Sequence, residues 1–314
     1  MVKNKQGSLF MSKHPTLLQQ FRSFCFQNNA TDIEKAIEYF AVFGGMGWNV
    51  DMTKPLEELI EEKVLANYRY IHGDLTKITQ SNKSHHSLLS ALALGDRREH
   101  SAYRRANLTR KEGEESSAFL IKFGLLSRES SQEEPADENE EVSDRLIFTA
   151  PFLRFWFSAV SPYYKGIKEG DFVEMKERWE NTKQAFFDSV YEGLVIALVK
   201  QSFKEDWVAK VGSYWDKSGE IEILGRTKSG KTLAGACKYS KAKANKSELS
   251  KLQERCDKAK LKADIFVIFS KNGFSSEFKK EKSESLKLFS LKNLKTLMDD
   301  LSEKDLLVNT NKKY

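Results

Sequence analysis

The sequence predicts an α+β protein of several domains, and three observations point to it. Apolar residues recur at helical spacing through most of the first 200 residues, and after Phe203 the period shortens to the two-residue alternation of strands. Between the first helices and that change lies an order of helix, helix, helix, hairpin. The expected divisions are a helical segment over 1–70, a winged helix-turn-helix over 71–150, an aromatic connector over 151–183 and a C-terminal α/β domain over 184–314.

In the first segment Leu17, Leu18, Phe21 and Phe24, and then Ile33, Ala36, Ile37, Tyr39 and Phe40, fall on helical faces. Thr31 and Asp32 cap the second helix, Gly44 and Gly45 stop it, and Pro55 opens a third at a position where its missing N–H costs nothing.

Residues 84–149 then read as three helices and two strands, near LLSRES and RLIFT, which is the winged helix-turn-helix plan. The polar turn Asn107, Leu108, Thr109 precedes the third helix, as it would a recognition helix. The acidic stretch SQEEPADENEE between the strands is expected to be a mobile loop. An acidic tip repels DNA, so this module is expected to hold the protein together or to meet a protein partner.

The run TAPFLRFWFSAVSPYY at 149–164 reads as a buried joint, with Phe152, Phe155, Trp156 and Ala159 on one helical face. Residues 171–202 continue as helices, the second of which, AFFDSVYEGLVIALVKQSF, is apolar nearly all round and suited to packing on a sheet. The strands YW, EIEIL, LAGACKY and IFVIFS follow, with a basic helix, SELSKLQERCDKAKL, between the third and the fourth.

Composition excludes several classes. The chain has 314 residues, 40% hydrophobic and 31% charged, which is ordinary for a folded protein. No stretch approaches the roughly 20 apolar residues of a membrane span. The opening MVKNKQGSLFMSKH lacks the apolar run of a signal peptide, so a cytoplasmic location and no membrane partner are expected. Cys25, Cys237 and Cys256 are odd in number and far apart, without the spacing of a zinc site or a disulfide framework. His85, His86 and His100 lack an accompanying carboxylate cluster and are expected at surface or capping positions. The net charge of +6 hides an asymmetry: residues 201–314 hold 25 Lys or Arg against 16 Asp or Glu. A basic C-terminal third suits either a phosphate-facing surface or a merely solvated one.

Two motifs compete for residues 214–238. GRTKSGKT, Gly225 to Thr232, satisfies the phosphate-cradling P-loop pattern, in which Lys231 and Thr232 would serve nucleotide and magnesium. That motif needs a helix after the glycines, and TLAGACKYS suits a strand better, so the glycines read as turn residues. The competing reading is a metal-binding hairpin. A metal-dependent phosphodiesterase needs carboxylates converging on a divalent ion and a cation near the attacking water. Glu220 and Glu222 are two apart and so are expected to share one strand face, Ala236 and Lys238 do the same on the neighbouring strand, and Glu192 can approach from the preceding helix.

The C-terminal half resembles the PD-(D/E)XK nuclease domain of the domain-of-unknown-function 234 family, in which an ATPase, a winged helix and a restriction-endonuclease-like domain are joined. The matching segments are PFLRFWF, the helix with Glu192, YWDKSGEIEI, LAGACKYSK and FVIFSKNGF; upstream, IEKAIEYFAVFGGMGWNVD resembles the lid of the ATPase. The resemblance implies a lid-like N-terminal segment without the P-loop ATPase core, a winged helix and a restriction-endonuclease-like C-terminal domain. It assigns Glu222 as the first metal-binding acid, where the family usually has Asp, Lys238 as the lysine of the final motif and Glu192 as the helix acid. Ala236 departs from it, because the family carries Glu there.

Losing that carboxylate weakens a hard-cation site severely. Two outcomes follow: a degraded nuclease fold kept for DNA binding or assembly, or a Mg²⁺-dependent endodeoxyribonuclease rescued by a migrated acid such as Glu220. In both, Lys238, Lys241 and Lys243 are the expected nucleic-acid contacts and DNA the expected partner, with a protein partner or a separate ATPase as a further possibility. A non-catalytic interaction module and, more remotely, a P-loop hydrolase are the alternatives.

Overall fold

A computed structural model describes residues 14–307 other than Asp96, Ala136 and Glu138; the stretch read for a signal peptide, apart from His14, lies outside them. Helix α1, Leu17–Gln27, opens on a capping box between Thr16 and Gln19, and α2, Ile33–Phe43, is capped by Asp32 and stops at Gly44. Helix α3, Leu56–Leu59, follows Pro55 and runs on as a π-helical turn, Ile60–Leu65, before α4, Tyr68–Ile78.

Three helices and a small sheet then follow in the expected order: α5 Lys83–Leu94, α6 Glu99–Arg105, α7 Arg110–Lys122, β1 Leu126–Glu129 and β2 Arg145–Phe148. Thr109 closes a capping box with Glu112 at the start of α7. The two strands pair antiparallel from Leu126 opposite Phe148 to Glu129 opposite Arg145. The histidine expectation needs correction at His85. Its ring is buried, stacks on Phe119 at 4.3 Å and lies 3.2 Å from Ser116 Oγ, because its position faces α7.

Helix α8, Pro151–Phe155, continues as a π-helical turn, Trp156–Val160, and places Phe152, Phe155, Trp156 and Phe157 in the core. After α9, Tyr164–Glu169, comes α10, Val173–Ser202. Two helices were expected over this stretch, and the structure has one helix of 30 residues that crosses the 183/184 boundary. Nothing within it breaks a helix: it contains no proline, and Gly193 sits where a side chain would meet Leu17 Cδ2 of α1 at 2.4 Å.

The remaining strands are β3 Val208–Trp215, β4 Glu220–Thr227, β5 Thr232–Lys238, β6 Ile265–Ser270 and β7 Leu286–Ser290, with α11, Lys246–Lys258, between β5 and β6, α12, Ser276–Lys280, before β7 and α13, Leu291–Lys295, after it. They form one mixed sheet in sequential order, antiparallel through β3, β4 and β5 and parallel through β5, β6 and β7. Leu233, Val267 and Phe269 of one face join Tyr191, Leu194 and Val195 of α10 in a core that continues through the N-terminal helices. Ala234 and Ile268 of the other face meet Leu252 and Cys256 of α11 in a second, smaller core. The glycine-rich stretch is a hairpin: β4 ends at Thr227, β5 starts at Thr232, and Gly230 takes a φ of 89° in the turn.

The acidic stretch between β1 and β2 departs from the expected mobile loop, since its described residues lie along β3. Gln132 N–H donates to the Ser213 carbonyl at 3.1 Å, Trp215 Nε1–H donates to the Ser143 carbonyl at 3.1 Å, and Glu133 pairs with Arg226 at 2.7 Å. An edge strand leaves a row of backbone groups unpaired, and the stretch satisfies some of them while one of its acids, Glu133, meets Arg226 of β4. The short hairpin is thereby tied to the large sheet.

Candidate functional site

The site is set by a bulge. Gly212 pairs with Leu224 and Tyr214 with Ile221, so Ser213 of β3 faces two residues of β4, Glu222 and Ile223. The extra residue breaks the two-residue alternation. Ile221 packs with the α11 core and Ile223 with the α10 core, although they are two apart. Glu220 and Glu222, expected on one face, are separated for the same reason.

Glu220 turns to the α10 side, where the Arg145 guanidinium of β2 grips it with two hydrogen bonds of 2.8 and 2.7 Å. Arg145 is buried and also lies 4.0 Å from the centre of the Trp215 ring. Burial works against ionisation of Glu220, but the bonds from Arg145 and the charges of Arg97 and Arg98 override it and hold the carboxyl below its usual range.

Glu222 turns the other way, to Arg255 of α11, whose Nη1 lies 3.0 and 3.1 Å from its two oxygens. Burial dominates here and pushes this carboxyl up, against its own backbone N–H and Arg255. Lys238, at the end of β5, donates to Glu248 of α11 at 2.6 Å. Ala236 precedes it on the same side and offers no oxygen.

Glu192 projects from α10 beneath β3 and β4. Ser213 Oγ lies 3.4 Å from its carboxylate and 3.1 Å from the Glu222 carbonyl, so the single hydroxyl proton serves one of the two. Burial raises the Glu192 carboxyl, Arg97 draws it down, and Glu220 and Glu222 add to the rise. Glu192 and Glu220 share a cavity of about 360 Å³ with Arg97, Arg145, Arg154 and Tyr239.

Carboxylates that coordinate Mg²⁺ must present oxygens to one point about 2 Å away. Glu222 and Glu220 instead present theirs to two different guanidinium groups on opposite sides of the sheet. Among the described residues no group of three or more His, Cys, Asp or Glu side chains is placed to hold a metal. The residues present do not fit the ion in this arrangement. Lys241 and Lys243, the other expected contacts, are exposed in the loop between β5 and α11, beside the carboxyl ends of the parallel strands.

Arg145, Arg255 and Glu248 are the partners that reading the sequence missed. Arg255 and Glu248 had a visible signal: they are seven apart on α11, flanking the buried Leu252 on one helical face. Arg145 had none, because its bond to Glu220 spans 75 residues.

Residues 156–250 match the domain-of-unknown-function 234 family, described as archaea bacterial proteins of unknown function. No curated protein matches, and no solved structure matches. No described helix is long and apolar enough to cross a membrane.

Proposed function

We propose that this chain is a DNA-associated protein, in which a winged helix is joined to a PD-(D/E)XK nuclease-like domain that meets DNA without cutting it. The observation that carries the second half of the reading is the pairing of each strand residue of the site with an opposite charge: Glu220 with Arg145, Glu222 with Arg255 and Lys238 with Glu248. An acid whose lone pairs are taken by a guanidinium is a poor ligand for a hard divalent ion, and an ammonium bonded to a carboxylate is withdrawn from orienting water.

What supports DNA as the partner is the basic C-terminal third and the position of its free lysines. Lys241 and Lys243 stand at the carboxyl ends of parallel strands, where open α/β sheets take their ligands. The acidic stretch between β1 and β2 is engaged with the sheet through Glu133, which pairs with Arg226, so that one of its charges is neutralised within the protein.

The test is the affinity of the full chain for a short duplex as salt is raised. Each phosphate contact contributes about −0.9 to the slope of log K against log[salt], so Lys241→Ala with Lys243→Ala should flatten the slope by about 2 and weaken binding of unrelated sequences alike. Absence of salt-dependent binding to any nucleic acid sinks the reading in favour of a protein-binding module.

A further inference from the structure

A second cavity, of about 450 Å³, lies between α1, the β1–β2 hairpin and α10. Leu17, Ile147, Phe148, Phe186, Val190 and Ile196 give it apolar walls, and Arg97 and Arg154 line it as well. The Arg154 guanidinium carbon lies over the Phe186 ring, 4.6 Å from its centre, and its Nε is buried with no hydrogen-bond partner. Among the described residues no carboxylate lies within ion-pair distance of either arginine. A buried guanidinium N–H left without an acceptor costs on the order of 1–3 kcal/mol, and two guanidinium groups side by side add repulsion.

Two acids lie near, but neither is within ion-pair distance of Arg97 or Arg154. Glu129 and Glu192 line the same cavity, and burial pushes both carboxyls up, with Arg97 opposing the shift in each. Burial, with Arg97 as the next cause, pushes Arg154 down to about 10, which leaves it protonated at neutral pH. The polar part of the cavity is therefore a place where an oxyanion is missing, and the rest is a place for an apolar body.

We infer that this cavity binds a small organic anion, with an oxyanion head held by Arg97 and Arg154 and an apolar body lying along Phe186 and Ile196. The cavity shares Arg97, Arg154 and Glu192 with the candidate site, but the inference does not rest on the DNA reading. A guanidinium offers two parallel N–H donors to a phosphate or carboxylate, and the contact with the Phe186 ring helps to hold Arg154 in place. The terminal nitrogens of Arg154, which lines the cavity and forms no ion pair with a described residue, are the donors such a head would meet.

The test uses phenyl phosphate as the probe, titrated into the full chain by calorimetry, with phenol as the body alone and inorganic phosphate as the head alone. Phenyl phosphate should bind saturably and at least about tenfold more tightly than either part, since each part uses half of the cavity. Arg154→Met should weaken phenyl phosphate by about tenfold and leave phenol unchanged. Ser189→Phe, which fills the cavity, should abolish binding of both. Should Arg154→Met fail to fold, as judged by circular dichroism, Arg97→Met carries the same expectation. No saturable binding of phenyl phosphate, or binding that survives both Arg97→Met and Ser189→Phe, overturns the inference.

Discussion

On the α11 side of the sheet, Glu222 and Lys238 each meet an opposite charge at hydrogen-bond distance. On the α10 side, Arg154, Arg97 and Glu192 face a shared cavity, and none of them forms an ion pair with a described residue. Glu220, bonded to Arg145, is where the two arrangements meet. A charge that folding has already satisfied has little left to offer a ligand, whereas a buried charge without a partner can gain one only from outside the described protein groups. The residues the sequence marks for chemistry thus lie mainly on the satisfied side, and the unsatisfied donors lie where the motifs did not point.

That contrast can be broken first at Arg145. Its guanidinium is buried, doubly bonded to Glu220 and stacked on Trp215, so Arg145→Ala should cost about 3 kcal/mol in urea unfolding at pH 7. A loss under about 1 kcal/mol would show that the small hairpin and the large sheet are not coupled through this pair.

Arg255→Ala comes next, at about 1–2 kcal/mol, because Glu222 then loses the cation that offsets its burial. The loss should shrink as pH falls through the raised folded-state value of Glu222, where the protonated carboxyl no longer needs a cation.

Glu192→Gln sharpens the other side, and its effect should be smaller. The folded-state pKa of Glu192 is raised by burial, so below the ordinary glutamate value both folded and unfolded states hold the proton and no penalty exists. As pH rises through the raised folded value the penalty becomes complete. The wild-type chain should therefore lose stability over that interval, and Glu192→Gln should remove the loss, read as unfolding midpoints between pH 4 and 7.

Lys231→Ala should do least, within about 0.5 kcal/mol of wild type, since Lys231 is an exposed residue of the hairpin turn. ATP affinity should be equally unaffected; ATP binding that this change abolishes would restore the P-loop reading.

Much of the fold was legible because its signals are local. Asp32 caps the helix it was expected to cap, the polar turn ending at Thr109 precedes α7 as expected, and the change to a two-residue period after Phe203 marks the start of the large sheet. Less of the candidate site was legible. The bulge opposite Ser213 leaves no trace in EIEIL, whose alternation reads as an unbroken strand, so Glu220 and Glu222 were placed on one face. The acidic stretch 131–141 was read from composition as mobile, which omits what the sheet offers it: unpaired backbone groups of β3 and Arg226 of β4. Both misreadings concern partners supplied from distant parts of the chain.

The central claim is that the hairpin of β4 and β5 belongs to a DNA-facing fold whose acids are held by arginines. One gel tests it most directly: a labelled duplex incubated with the full chain and Mg²⁺ or Mn²⁺ at low salt, run native and denaturing. The account predicts a shifted band on the native gel and intact strands on the denaturing one. Metal-dependent cutting that disappears in Lys238→Ala would contradict it, because Lys238 would then be free of Glu248 when it matters.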